Sequence, residues 1–128
     1  MNREKIYSAL REIALSDFAD IVEATLSIEG KLRILLKDES YIDIWLSIKR
    51  EGIYAYHWER KNIDGTIYRY NNIPDKDAKK LKTFPKHFHE KTDDNILENN
   101  LSDKPKEAIR TVLEFARKVI KNRKHSKN

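Results

Sequence analysis

Apolar and polar residues alternate with a helical period at the two ends of the chain and with a period of two between them. Near the start, Ile6, Leu10, Ile13 and Ala14 recur at i, i+4, i+7 and i+8, with Arg3, Glu4, Arg11 and Glu12 on other faces. That spacing predicts an amphipathic helix ending near Ser16-Asp17. Val22, Ala24, Leu26 and Ile28 then alternate with Glu23, Thr25 and Ser27, the pattern of a half-buried strand. Beyond a turn at Glu29-Gly30, Leu32, Ile34 and Leu36 predict a second strand. After the polar run Lys37-Asp38-Glu39-Ser40, Ile42, Ile44, Leu46 and Ile48 predict a third, with Asp43 and Ser47 facing away. Arg50-Glu51-Gly52 turns the chain into a fourth strand over residues 53–60. A loop over 62–65, marked by Asp64-Gly65, leads to a fifth over 66–71. The last element is a helix: Ser102 or Asp103 caps it, Pro105 lies in its first turn, and Ile109, Val112, Leu113, Ala116 and Ile120 form its apolar stripe.

Turns this short join neighbouring antiparallel strands, so the strands predict a meander. Residues 73 to about 103 read as irregular: they are polar and carry Pro74, Pro85 and many Asp, Asn and Lys. A stretch of that length in a small domain is usually functional or mobile. The expectation is an α+β fold, with about five antiparallel strands and both terminal helices packed on one face of the sheet.

Composition changes this picture only at its edges. With 128 residues the chain fits one domain, taken as residues 1–120, followed by a basic, disordered tail over 121–128. Apolar residues make up 39% and charged ones 37%, so the core must come from the periodic segments. There is no cysteine, which excludes disulfides and thiolate metal sites and fits a reducing cytoplasm. No apolar run approaches the roughly 20 residues that span a bilayer. Met1-Asn2-Arg3-Glu4-Lys5 lacks the apolar stretch of a signal peptide. These features predict a cytoplasmic protein with no membrane partner. The net charge of +5 permits phosphate contacts, although much of the excess lies in Lys121-Asn122-Arg123-Lys124-His125-Ser126-Lys127.

The polar chemistry gathers in Tyr68-Arg69-Tyr70-Asn71-Asn72-Ile73-Pro74 and Thr83-Phe84-Pro85-Lys86-His87-Phe88-His89. Two of the chain's four histidines fall there, and His57 lies in the strand just before. Strict alternation puts Tyr54, Tyr56, Trp58, Tyr68 and Tyr70 on one face, and hence His57 and Arg69 together on the other. A five-residue connection over 61–65 sets His57 directly opposite Arg69, roughly 5 Å apart at Cβ. The arginine's charge then depresses the His57 pKa, and the pair reads either as a base beside a phosphate-binding cation or as a polar cross-strand pair facing solvent. His87 and His89 project to one side of an extended segment. They read as acid and base on a phosphate, as two metal ligands lacking a fixed third (His57, Glu90, Asp93 or Asp94), or as solvated loop residues. The tyrosines read as core or as a surface that stacks bases. Trp45 and Trp58 read as core.

The two motifs resemble those of the TumE-like family of prokaryotic toxin–antitoxin proteins. That family tends to carry Tyr-Arg-Tyr-Asp-Asn-x-Pro, then Thr-Phe-Pro-His-His-x-His or a variant, after an aromatic strand like Tyr54-Ala55-Tyr56-His57-Trp58. Length, element order and the closing helix agree, so the resemblance covers most of the chain. It implies a toxin encoded beside a helix-turn-helix antitoxin, its partner. Attack on RNA or on another part of translation is the expectation for such toxins. Arg69, Tyr70, Asn72, His87 and His89 match the pattern. Asn71 stands where aspartate is frequent, Asp75 and Lys76 replace a histidine pair, and Lys86 stands where histidine is frequent.

Two functions follow from these residues. In the first, the protein is a toxin that cleaves RNA without metal or cofactor. His57 or His87 acts as base, His89 as acid, Arg69 as phosphate clamp and Tyr70 as orienting group, with Asn72 and Lys86 binding substrate. In the second, it is a non-catalytic partner-binding module, a degenerate toxin, whose motif residues hold the loop in place. A metal-dependent hydrolase on His87 and His89 is a third reading, with Glu90, Asp93, Asp94 and Glu98 as the nearby carboxylates.

Overall fold

The computed structural model describes residues 1–126. Helix α1 (Arg3–Asp17) is followed by strands β1 (Val22–Ile28), β2 (Lys31–Leu36), β3 (Tyr41–Leu46) and β4 (Tyr54–Arg60). A single helical turn, α2 (Lys61–Asp64), leads into β5 (Thr66–Asn71). Then come a short 3₁₀ turn (Lys76–Ala78), β6 (His87–Lys91), β7 (Ile96–Glu98) and the long helix α3 (Pro105–Ser126). The strands form one antiparallel sheet in chain order, β1 to β7. This is the expected α+β meander with two more strands than the sequence predicted. Both lie in the stretch 73–103 that reads as irregular.

The inward residues of each strand meet the helices. Leu32, Ile34, Ile42, Ile44, Tyr56 and Trp58 are buried beneath Tyr7, Leu10 and Ala14 of α1 and Ile109, Val112, Leu113 and Ala116 of α3. Each of the larger aliphatic side chains among them contributes about 1.5–3 kcal/mol by leaving water. Phe115, outside the stripe predicted for α3, sits amid the tyrosine face: its ring lies 5.0 Å from Tyr68, 5.7 Å from Phe88, 6.1 Å from Trp58 and 6.4 Å from Tyr70. The aromatic alternation is therefore core, and the base-stacking reading of the tyrosines does not hold. Trp58 is buried, but Trp45 is not core: it alternates with Ile44 and Leu46 and stands half-exposed on the helix-free face.

Polar ties fix the helices to the sheet. Asn2 caps α1 by accepting from the Lys5 amide. The Tyr7 hydroxyl donates to the Gly30 carbonyl at 2.9 Å and accepts from the Leu46 amide at 3.0 Å. Gly30 has φ of 80°, the left-handed conformation that favours glycine in the β1–β2 turn. Ahead of α3, Ser102 accepts from the Lys104 amide, which leaves Pro105 to open the helix. Helix α3 runs on without a break past residue 120, where the sequence placed the start of a disordered tail, and Arg123 bonds Asp64 at 2.9 Å. Lys127 and Asn128 lie outside the described residues. No helix among those residues is long and apolar enough to cross a membrane.

Candidate functional site

The connection between β4 and β5 ends at Gly65 in the left-handed conformation, φ 77°, and sets the expected register: His57 faces Arg69. Strand β6 then adds His89 opposite Arg69, and His87 opposite Asn71. On the other side, Asp43 of β3 faces His57, and Arg33 of β2 faces Asp43. One row of side chains thus crosses the helix-free face: Arg33, Asp43, His57, Arg69, His89. A second row runs beside it: Lys31, Trp45, Ala55, Asn71, His87.

The hydrogen bonds fix where the protons are. Arg69 Nε donates to His57 Nδ1 at 3.1 Å. Since the guanidinium only donates, His57 Nδ1 carries the lone pair and Nε2 carries the proton, which lies toward Glu59 Oε1 at 3.2 Å. His57 has no nitrogen left to take a proton from a substrate while Arg69 is bound to it. In this arrangement the His57 ring bridges Arg69 and Glu59. Burial pushes its pKa down, the Glu59 bond opposes this, and the Arg69 charge adds to the depression.

His87 and His89 have the opposite tautomer. Their Nδ1 atoms lie 2.8 Å from the carbonyls of Pro85 and Asp93. A carbonyl only accepts, so each Nδ1 donates and each Nε2 holds the lone pair when the ring is neutral. The rings lie 5.0 Å apart, centroid to centroid. Both residues are largely buried, at 2% and 6% exposure. Arg3 Nε is the one buried side-chain nitrogen or oxygen without a partner among the described residues. The two Nε2 atoms make no hydrogen bond among the described residues. Beside them, Arg69 Nη1 pairs with Asp93 at 3.2 Å, and Asp93 is 60% exposed, so this ion pair is weak and readily exchanged.

Three of the residues proposed from the sequence make contacts within the fold. Tyr70 points to the helix face, 4.5 Å from the Phe88 ring, and burial pushes its hydroxyl pKa up strongly. It cannot reach a phosphate on Arg69. Asn72 accepts from the Tyr54 amide at 2.9 Å and donates to the Gly52 carbonyl at 2.7 Å, tying the end of β5 to the β3–β4 turn. Lys86 donates to the Leu101 carbonyl at 2.6 Å and pairs with Asp103 at 3.1 Å, anchoring the start of β6 to the segment before α3. Among the described residues, no three of His, Asp and Glu converge to hold a metal ion. Sequence reasoning missed Glu59 as a partner of His57, and it named Asp93 only as a metal ligand. Glu59 was there to be found: it follows His57 by two on the same strand and so shares its face.

A family model described as Toxin TumE matches residues 4–123. The chain belongs to the TumE toxin family. The match takes in α1, the whole sheet and all of α3 but its last turn, and so includes both motifs. No curated protein and no solved structure matches the chain. In this TumE-family chain Asn71 accepts from the Ile73 amide at 3.0 Å, a bond that an aspartate makes equally well. Asp75 caps the 3₁₀ turn by accepting from Asp77 N. Asn71 and Asp75, two of the positions that differ from the motif pattern, thus have local structural work.

Proposed function

We propose that this protein is the toxin of a type II toxin–antitoxin system, paired with a helix-turn-helix antitoxin, and that it cleaves RNA without a metal in the cytoplasm. The observation that carries the reading is one juxtaposition: His89 stands directly across from Arg69, with His87 5.0 Å from it, ring to ring. Cleavage needs a cation for the phosphate, a base and an acid. Arg69 is the clamp, trading the Asp93 carboxylate for a phosphate. His87 takes the 2′-hydroxyl proton, the 2′-oxygen bonds to phosphorus, and the bond to the 5′-oxygen breaks as protonated His89 supplies its proton. The products are a 2′,3′-cyclic phosphate and a 5′-hydroxyl.

The test is induced expression in a bacterial host, with total RNA read on a gel and its ends mapped. Wild type should arrest growth and leave cyclic-phosphate ends. His89→Ala should slow cleavage by about 10²–10⁴-fold while the melting midpoint holds. Arrest by a stable Arg69→Lys variant at the wild-type level defeats the assignment, because lysine lacks the fork that binds His57 and phosphate together.

A second reading, the non-catalytic partner-binding module, draws on Asn72, Lys86 and Tyr70, all occupied in holding the fold. Harmless expression of wild type, with a large fall in midpoint for Arg69→Ala, would favour it.

A further inference from the structure

Trp45 and Ala55 are cross-strand partners on the helix-free face, and the small side chain leaves a hollow beside the large one. The depression measures about 320 Å³ and is lined by Lys31, Asp43, Trp45, Ala55, His57 and Arg69. That is within the range of small-ligand sites. We propose that this hollow is a nucleotide slot for single-stranded RNA, with one base stacked on Trp45 and its phosphates held between Lys31 and Arg69. The proposal rests on the nuclease reading, and it names the substrate as an unpaired strand running along the second row of side chains toward His87.

Several features favour this ligand. An indole face on a sheet stacks any unpaired base, whereas a duplex hides its base faces. Lys31 is exposed and has no ion-pair partner among the described residues. Asp43, the one carboxylate in the lining, is already neutralised by two bonds from Arg33, at 2.7 and 2.9 Å. The guanidinium of Arg33 stacks on Tyr41 at 3.9 Å and extends the flat, aromatic character of the face. Arg69 belongs to both the slot and the catalytic group, so a strand seated on Trp45 presents its next phosphate where the histidines stand.

The chain has two tryptophans. Trp58 is 1% exposed and stacked on Tyr68 at 5.2 Å, so a ligand that changes fluorescence reports on Trp45. The probe is a 2′-O-methyl oligoribonucleotide of about ten nucleotides, within the span of single-strand sites, which binds but lacks the attacking hydroxyl. Titrated into wild type, it should quench the emission, and a duplex of the same sequence should not. Trp45→Ala should weaken binding about 5- to 150-fold, the range for loss of one stacked base. Trp45→Phe should restore most of it. Ala55→Leu, which fills the hollow and leaves the core alone, should weaken binding similarly at an unchanged melting midpoint.

Wild-type affinity in both Trp45→Ala and Ala55→Leu overturns the slot, and so does the absence of binding to wild type. The nuclease reading is separately checked with unmodified RNA. Cleavage by Ala55→Leu at the wild-type rate leaves the nuclease standing without the slot. Quenching with no cleavage by wild type leaves the slot standing without the nuclease.

Discussion

Arg69 Nε lies 3.1 Å from His57 Nδ1 and donates to it, so the arginine at the centre of the site is aimed by a neutral histidine. A protonated His57 cannot accept that bond, and two cations would then face each other across adjacent strands. Burial is the main cause that holds the imidazole neutral, and the guanidinium reinforces it. Glu59 works the other way, yet its bond to Nε2 also fixes the tautomer that Arg69 requires.

The His57 ring should therefore titrate below the ordinary value of 6.5 in a two-dimensional NMR experiment. Arg69→Gln should raise its pKa without restoring it fully, because burial remains. The folded chain binds the proton less readily than the unfolded one. Its stability is thus full above pH 6.5, falls as the pH drops below that, and levels off once the folded pKa is passed. His57→Gln should remove that part of the pH dependence. An imidazole titrating above 6.5 would break the assignment of its tautomer.

Tyr70→Phe should leave toxicity unchanged and shift stability by less than about 1 kcal/mol. The ring packs against Phe88 and Phe115 on the helix face, and its hydroxyl makes no bond among the described residues. Loss of RNA cleavage in a Tyr70→Phe protein with a normal melting curve would put the hydroxyl back in the reaction.

Asn72→Ala should destabilise without touching the chemistry. It removes two hydrogen bonds and leaves the buried Tyr54 amide unpaired, a loss of about 2–3 kcal/mol. For a domain of this size the midpoint falls by about 10 °C. A substrate contact would show the reverse: toxicity lost with the midpoint within a degree or two of wild type.

The sequence revealed the parts of this site that local rules govern. Strict alternation on residues 53–60 and 66–71, with a short connection ending in Asp64-Gly65, fixed both the facing of His57 and Arg69 and their register. The same alternation separates Tyr70 from Arg69 and turns Trp45 outward, consequences that follow directly from the positions of Ile44 and Leu46. Strand β6 was harder, because His87-Phe88-His89 carries a single inward apolar residue, and β7 is only three residues long. Neither reaches the length at which a period can be read. The anchoring of Lys86 was invisible for another reason: its carbonyl partner on Leu101 is 15 residues away, and only the closed fold brings them together.

At the far end of β4, Arg60 is 1% exposed and bonds Asp38 at 2.6 Å and Asp64 at 3.2 Å, with its guanidinium 4.6 Å from the centre of the Trp58 ring. Trp58 in turn donates to Ser40, and Ser40 to Asp38. This network joins the β2–β3 turn to the β4–β5 connection, whose geometry sets the register of His57 on Arg69. Arg60→Met keeps the bulk but strands the Asp38 carboxylate, so it should cost about 3–5 kcal/mol. Burial alone would raise the pKa of Asp38 and of Asp64. Bonds from Ser40 and Thr66, and the Arg60 charge, more than reverse this and hold both below the usual 3.8. Their contribution is complete above pH 3.8 and is lost as the pH falls through the lower folded values. Denaturant melts of Arg60→Met should show a lower midpoint at neutral pH and a flatter decline below pH 4 than wild type. An unchanged midpoint would mean that the network does not hold the register, and the distance from Arg69 to His57 would then need another cause.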